Sequence, residues 1–426
     1  MILTDEARAM LDGQHGEAKR KALDSLIQFG EAFGANELVK IGYAHVAAGQ
    51  PMYKQDMEQV EDLADSGVKV VVPTSVNIAN ADMRRGVQMH TPAKLVDMQL
   101  RSEPAHQKLG TDPCFTCTPY WAGHWPTWNT HMVSLESTVT IFCNSVLGAK
   151  CNRDGYFAVY AAITGYYPKF GFHLDENRVG THLVHVDAAL DGPTDYSCLG
   201  YAIGVQCANG VPVLSGLKAR PTLDELDAMG AAMATSGGIA MFIVPGITPP
   251  FQSVDQAFAG RQPAQEIRIR NTDISQVYDD FSARSGRSPS VVHLGCPHAS
   301  MTEMREYAYL LEGKKVHPGL ELWITTSRAV RHMAEQAGIV QTLEATGAKV
   351  LSDTCPIMCH LSRIMAPDPA LGWKEPAELG IVVVDSAKQA KYLRDTVACE
   401  PVLVKTADAV SAAVTGRFAS GGNAHA

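Results

Sequence analysis

Three stretches of the chain set a cysteine in a turn stiffened by proline. In HLGCPHASMTEM, Cys296 stands between an apolar, β-branched run and the pair Ser300 and Glu303, an S-x-x-E spacing that predicts a capping box and a helix opening just past His298. A thiol there lies at the carboxyl end of a strand and faces a helix amino terminus. Open α/β sheets bind their ligands at such places, and the dipole favours thiolate over thiol. LSDTCPIMCH repeats the pattern at Cys355, and CFTCTPYW supplies Cys114 and Cys117 with Pro119 two residues beyond. Proline beside a cysteine restricts the backbone and removes an amide donor, so the sulfur is held in a rigid turn.

Residue type and spacing leave several chemistries open. Any single one of these residues could be a packing cysteine, since free cysteine is among the most buried residue types. The C-x-x-C at 114–117 and the C-x-x-x-C at 355–359 could close a four-thiolate zinc site, although the two pairs lie far apart for a local structural module. One cysteine from each loop, Cys117, Cys296 and Cys355, would instead hold an iron or iron–sulfur centre with an unfilled position. A metal-free enzyme using Cys296 or Cys355 as nucleophile or acid–base thiol is the remaining arrangement.

Periodicity identifies the elements that position these residues. Thr4 caps a short helix with Ala7, Met10 and Leu11 on one face, and residues 55–66 carry Met57, Val60, Leu63 and Ala64 on one helical stripe. That helix stops at Gly67 and runs into VKVVVPT, read as a strand. From residue 288 onward SVVHLG, LELWITT, AKVLSD and LGIVVVD alternate with helical patterns, which predicts a parallel sheet covered by helices. The middle is glycine-rich, as in NSVLGAKCNRDG and TSGGIAMFIVPGITPPF, and implies close backbone packing or ligand approach. The expected organisation is an N-terminal α/β region over 1–130, a glycine-rich middle domain over 131–285, a C-terminal α/β domain over 286–415 and a disordered tail over 416–426. His182 and His185, three apart on the apparent strand THLVHVD, face opposite sides and read as structural. Cys198, Cys207 and Cys399 read as packing residues.

A chain of 426 residues exceeds what one hydrophobic core serves. Its 46% hydrophobic and 19% charged residues are those of a globular protein slightly lean in charge, as if part of the surface were covered by a partner. The net charge of -9 comes without a basic stripe, which argues against nucleic acid. No run of about 18 apolar residues marks a membrane span. The amino terminus carries no basic region followed by an apolar one. The expectation is a cytoplasmic protein whose ten cysteines stay reduced.

Taken in order, TCTPY, NSVLGAKCNRDG, GCPH, DTCP and DSAKQAKYL resemble the large subunit of the aconitase X family, a branch of the aconitase superfamily, over roughly residues 1–410. The resemblance implies an α/β fold with the three-domain α/β/α body of aconitases. It implies that the swivelling fourth domain is absent from this chain and supplied by a small subunit. It implies a hydro-lyase acting on a small hydroxy acid, with cis-3-hydroxy-L-proline first and phosphomevalonate second. The cluster ligands it implies are Cys117, Cys296 and Cys355, binding an iron–sulfur cluster or a mononuclear iron. Where Cys151 stands the family more often has threonine, and Cys114 is no general ligand. The base that takes the α-proton is expected to be a serine of the small subunit. An iron-sensing, RNA-binding relative is the non-enzymatic alternative, and the acidic charge counts against it.

Removing water from a β-hydroxy acid breaks a weakly acidic C–H bond and expels hydroxide, so both ends need assistance. A Lewis acid with an open position polarises the leaving oxygen, and three protein ligands leave that position where four would close it. His298, with its ordinary pKa near the working pH, is expected to protonate the departing hydroxide. Arg153 is expected to clamp the substrate carboxylate with its planar fork, and Asn144, Ser145 and Asn152 to add neutral hydrogen bonds. Lys388, in the first turn of a helix capped by Ser386, opposes the helix dipole and is expected to meet a ligand.

Overall fold

A computed structural model describes residues 1–283, 288–364, 367–373 and 378–418. Near the amino terminus the Ala7 amide donates to Thr4 Oγ1 (3.2 Å), capping the helix Asp5–Leu11, which buries Ala7 and Met10. The helix Lys54–Asp65 buries Met57, Val60 and Ala64, the stripe its periodicity predicts. The first of these helices packs on a short antiparallel ribbon of β1 (Leu38–Lys40) and β6 (Tyr166–Pro168). Beside it is a parallel sheet of β2 (Tyr43–Val46), β3 (Thr74–Val76), β4 (His131–Ser134) and β5 (Lys150–Arg153), in the order β3-β2-β4-β5. Of VKVVVPT only Thr74 is in the strand. The amides of Val70 and Val71 donate to Leu109 O and Ala162 O at the ends of helices, so no ladder forms until residue 74. The expected break at residue 130 falls inside this sheet, because β4 begins at His131 and is hydrogen-bonded to β2.

A second parallel sheet, β7 (His182–Val186), β8 (Pro212–Ser215) and β9 (Gln265–Ile269) in the order β8-β7-β9, carries the helices Gly192–Gln206 and Leu223–Gly237. The small residues of this region let those two backbones touch: a Cβ on Gly200 would lie 2.1 Å from Met229 O. Glycine here serves packing.

The third sheet is wholly parallel: β10 (Pro289–Ala299), β11 (Glu321–Thr326), β12 (Lys349–Leu351), β13 (Gly380–Val384) and β14 (Cys399–Leu403), in the order β12-β11-β10-β13-β14. The four apolar segments read from the sequence become β10 to β13. Ser300 and Glu303 complete both arms of the predicted capping box (3.2 and 2.8 Å). At Ser386 one arm forms, from the Gln389 amide to Ser386 Oγ (3.4 Å), while the Gln389 side chain is drawn to His293. The boundary expected at 286 and the tail residues 419–426 lie outside the described residues, whereas Gly416 ends the helix Thr406–Thr415 in a left-handed turn. Three parallel-sheet units give the α/β architecture expected. One continuous apolar cluster runs from Tyr43 through Leu199 to Val384 and locks the units together. Among the described residues no helix is long and apolar enough to cross a membrane.

Candidate active site

The carboxyl ends of the first and third sheets face one another across a cavity of about 510 Å³. This is where parallel α/β sheets gather ligand-binding side chains, and two sheets supply it at once. From the first sheet come Gln50 beyond β2, Asn77 beyond β3, Glu136 beyond β4 and Arg153 at the end of β5. From the third come Cys296 and His298 within β10, Cys355 beyond β12 and Lys388 beyond β13, and Cys117 enters from the loop that precedes β4.

Local structure explains how the sulfurs are presented. Strand β10 pairs with β11 at Leu294↔Ile324 and again at Ala299↔Thr326, so the residues between bulge out of the ladder and carry Cys296 into the cavity. Gly295 makes this possible. Its φ is +88°, and a Cβ there would lie 2.1 Å from Thr325 O. Cys355 follows Asp353, whose left-handed backbone (φ 69°) is held by a two-pronged bond from Arg328, Nε to Oδ1 (2.8 Å) and Nη2 to Oδ2 (2.9 Å). The Cys117 loop is tied to β10: the His298 amide donates to Cys117 Sγ (3.4 Å), and Thr118 Oγ1 donates to His298 O (3.2 Å).

Burial raises the pKa of all three thiols, and the Lys388 ammonium pulls each of them back toward thiolate. Cys296 feels the charge of Cys355, and Cys117 that of Cys296, so the three form one electrostatic group. Lys388 is itself buried. Its Nζ donates to Glu136 Oε1 (3.2 Å) and to Thr138 Oγ1. Burial would raise the Glu136 carboxyl, but Lys388 foremost, then Arg153 and the Thr138 amide, hold it at about 2. The pair is therefore ionic, and burial does not lower the Lys388 pKa because Glu136 and the thiols raise it further.

The other expected site residues separate. His298 lines the cavity and is buried, with Nδ1 against Thr116 Oγ1 (3.0 Å) and Nε2–H donating to Thr354 O (3.1 Å). Burial pulls its pKa to about 4. It is thus neutral at physiological pH, with both ring nitrogens engaged by the protein. Arg153 lines the cavity, donates Nε to Leu135 O (3.1 Å), and makes no ion pair among the described residues. Asn144, Ser145 and Asn152 do not line it. Asn144 bridges Cys151 O and Ala240 O (both 2.9 Å) and accepts from Arg178 Nη1 (2.7 Å). Ser145 Oγ accepts from the Phe242 amide (2.9 Å), and Asn152 spans Phe170 O and the Phe172 amide. Their hydrogen-bonding capacity is spent inside the protein, on backbone and on Arg178.

Glu136, Gln50, Asp56 and Asn77 also line the cavity and are not among the residues that the sequence singles out. For Glu136 a signal existed: SLEST is a strand end entering a helix, the same logic that singles out Cys296. For the amides of Gln50 and Asn77 there was none.

Cys114 and Cys359 each donate Sγ–H to a backbone carbonyl, Val76 O and Pro356 O (both 3.5 Å), and do not line the cavity. Among the described residues no group of three His, Cys, Asp or Glu side chains is arranged to hold a metal ion. Cys117, Cys296 and Cys355 nevertheless share one cavity and one cation, and Cys117 Sγ already accepts an N–H bond. Three thiols in one cavity are a donor set that fits an iron or iron–sulfur centre.

Residues 1–176, 180–279 and 289–415 match the family models for the first, second and third domains of aconitase X. The chain is 34% identical over 402 residues to the phosphomevalonate dehydratase large subunit of Methanocaldococcus jannaschii, covering 92% of this chain and 95% of that protein. It is 34% identical over 417 residues to the cis-3-hydroxy-L-proline dehydratase of Pseudomonas aeruginosa, covering 97% of this chain and 70% of that protein. The crystal structure of Thermococcus kodakaraensis aconitase X in its holo form superposes with a TM-score of 0.82 at 31% identity, over 97% of this chain and 100% of that one.

Proposed function

This chain belongs to the aconitase X family and is a dehydratase, and from that membership we propose that it removes water from cis-3-hydroxy-L-proline to give a pyrroline-2-carboxylate. The observation that carries the reading is the cavity itself, with three thiols and a buried Lys388–Glu136 pair facing the open guanidinium of Arg153. The charge balance supports the substrate. Arg153 and Lys388 are the cations lining the cavity, and Lys388 is neutralised by Glu136. Asp56, raised by burial to about 6, offsets much of Arg153 at neutral pH. A zwitterion matches that balance, whereas a phosphorylated hydroxy acid carries about three negative charges with one unpaired cation to meet them.

Cys117, Cys296 and Cys355 would hold an iron–sulfur cluster, which when bound supplies a Lewis acid for the leaving hydroxyl. Lys388 holds its proton on Nζ and lends positive charge to the three sulfurs, lowering the cost of keeping them ionised. Arg153 is the clamp for the carboxylate, whose negative charge grows as the α-proton leaves. His298 acts as a positioning residue: its ring is pinned by Thr116 and Thr354, and its amide orients Cys117 Sγ. The α-proton passes to a base of the small subunit, whose existence the name of the large-subunit relatives supports. Tyr156 and Ile364 line the cavity while remaining half exposed, which suits a mouth completed by that partner.

A second reading is phosphomevalonate dehydration. Its support is the extent of the match: the chain covers 95% of the separate large subunit so named, against 70% of the hydroxyproline enzyme. The test is the anaerobically purified complex of the chain with its small subunit, assayed for iron and sulfide and offered each compound. Turnover of cis-3-hydroxy-L-proline is expected, and turnover of phosphomevalonate alone overturns the assignment.

A further inference from the structure

The β2–β3 side of the cavity carries polar groups that the reaction described above leaves without a task. Gln50 is buried, donating its backbone N–H to Asp56 Oδ2 (2.8 Å) and its Nε2 to Ile78 O (2.6 Å). Gln50, Asp56 and Gln59 all line the cavity, and with Nε2 given to Ile78 O the Gln50 side chain keeps its Oε1 to accept. Gln59 Nε2 is buried without a partner, and so is the Oδ1 of Asn77, a residue 5% exposed. Asn77 lines the cavity beside them. The cations that line the cavity sit elsewhere, Arg153 at the far end of the sheet order β3-β2-β4-β5 and Lys388 on the β4 residue Glu136. The cavity is therefore polarised, with cations toward β4 and β5 and the amide and carboxyl side chains of Gln50, Asp56, Gln59 and Asn77 toward β2 and β3.

We propose that Gln50, Asp56 and Gln59 form an amine-binding subsite that selects hydroxy acids carrying a protonated nitrogen next to their carboxylate. This rests on the hydroxy amino acid reading above and deepens it. A secondary ammonium presents two N–H donors and one positive charge, and three acceptor oxygens, one of them a carboxylate's, complement it. The Asp56 carboxyl is ionised above about pH 6, so the charge needed is present at neutral pH. Asn77 Nδ2, the donor among these acceptors, meets the carboxylate oxygen that lies beside the nitrogen in any α-amino acid. The subsite acts in selection and orientation and takes no proton from carbon.

The experiment uses the loaded complex with its small subunit and two probes, cis-3-hydroxy-L-proline and cis-2-hydroxycyclopentane-1-carboxylate, its carbocyclic counterpart without nitrogen. The wild-type enzyme is expected to prefer the amino acid by about 100-fold in kcat/KM, the size of a charge-assisted contact. Asp56→Asn and Gln50→Leu are each expected to cut that preference about tenfold or more, through KM for the amino acid. Gln59→Met, a change on a half-exposed helix face, is the control that survives if either of those fails to fold, and it is expected to cut the preference too. An unchanged preference in folded variants, with hydroxyproline still turned over, overturns the subsite alone. An enzyme that ignores both probes and consumes phosphomevalonate overturns the subsite together with the substrate assignment.

Discussion

Two polar regions of the molecule contrast in what they have left to offer. Around Asn144 and Asn152 the side chains are buried and satisfied: Asn144 serves Cys151, Ala240 and Arg178, and Arg178 spends its guanidinium on Asn144 Oδ1, Asn144 O and Phe172 O. Around the cavity, Arg153 uses one nitrogen on Leu135 O, and the Gln59 and Asn77 side chains retain unpaired atoms. Both regions are rich in amide and guanidinium groups. What separates them is unspent hydrogen-bonding capacity, because a group that has saturated its partners inside the protein gains little by meeting a ligand. The same criterion divides the cysteines, since Cys114 and Cys359 donate to carbonyls while Cys117 accepts an N–H bond inside the cavity.

The contrast can be broken most severely at the sulfurs. Cys296→Ser should lower kcat/KM by more than about 100-fold, beyond the range typical of residues that only support a metal ligand, and should lower the iron and sulfide bound per chain. Full activity with unchanged iron would return Cys296 to the packing cysteines. Lys388→Met leaves Glu136 buried and unpaired and should cost about 3–5 kcal/mol in urea unfolding, while adding Glu136→Gln should restore much of it. A single variant as stable as the wild type would show that the pair is not buried in solution.

Acid should reach the same pair. The Glu136 carboxyl titrates at its ordinary 4.5 when unfolded and at about 2 when folded. Its contribution of about 3 kcal/mol is complete above pH 4.5 and disappears as pH falls toward 2. The slope of stability against pH over that window should be shallower in Glu136→Gln. The finest test crosses the two regions. Asn144→Ala should cost about 1–3 kcal/mol of stability with kcat/KM little changed once folded, because it removes the side-chain acceptor of Arg178 Nη1 and of the Cys151 amide and the donor to Cys151 O and Ala240 O. Arg153→Ala should leave the melting temperature nearly unchanged and raise KM about tenfold or more. The reverse pattern would mean that substrate binds at the asparagines.

Much of the fold was legible because it is local. The capping box at Ser300, the stripe Met57–Val60–Ala64 and the four strands of the third sheet each depend on residues within a few positions of one another. Where local propensity and tertiary pairing disagreed, pairing won. The β-branched Val70 and Val71 have no neighbouring strand, and β4, placed in the middle domain by the glycine-rich composition around it, pairs with β2. The cysteine turns were readable for the same reason as the capping box. Arg153 lines the cavity and its strand neighbour Asn152 does not, because along β5 successive residues point to opposite faces, while Asn144 and Ser145 lie in the helical turn before that strand.

By itself the sequence determined which residues could act: thiols at strand ends, a lysine where a helix opens, an arginine leaving a strand. The tertiary structure decided which of them meet. Residues as distant as Glu136 and Lys388 become partners only when two sheets turn their carboxyl ends toward one cavity, and only burial there makes their charges strong enough to matter. Spacing along a chain carries no record of that approach, whereas the low dielectric and the spent or unspent hydrogen bonds it creates are properties of the folded interior alone.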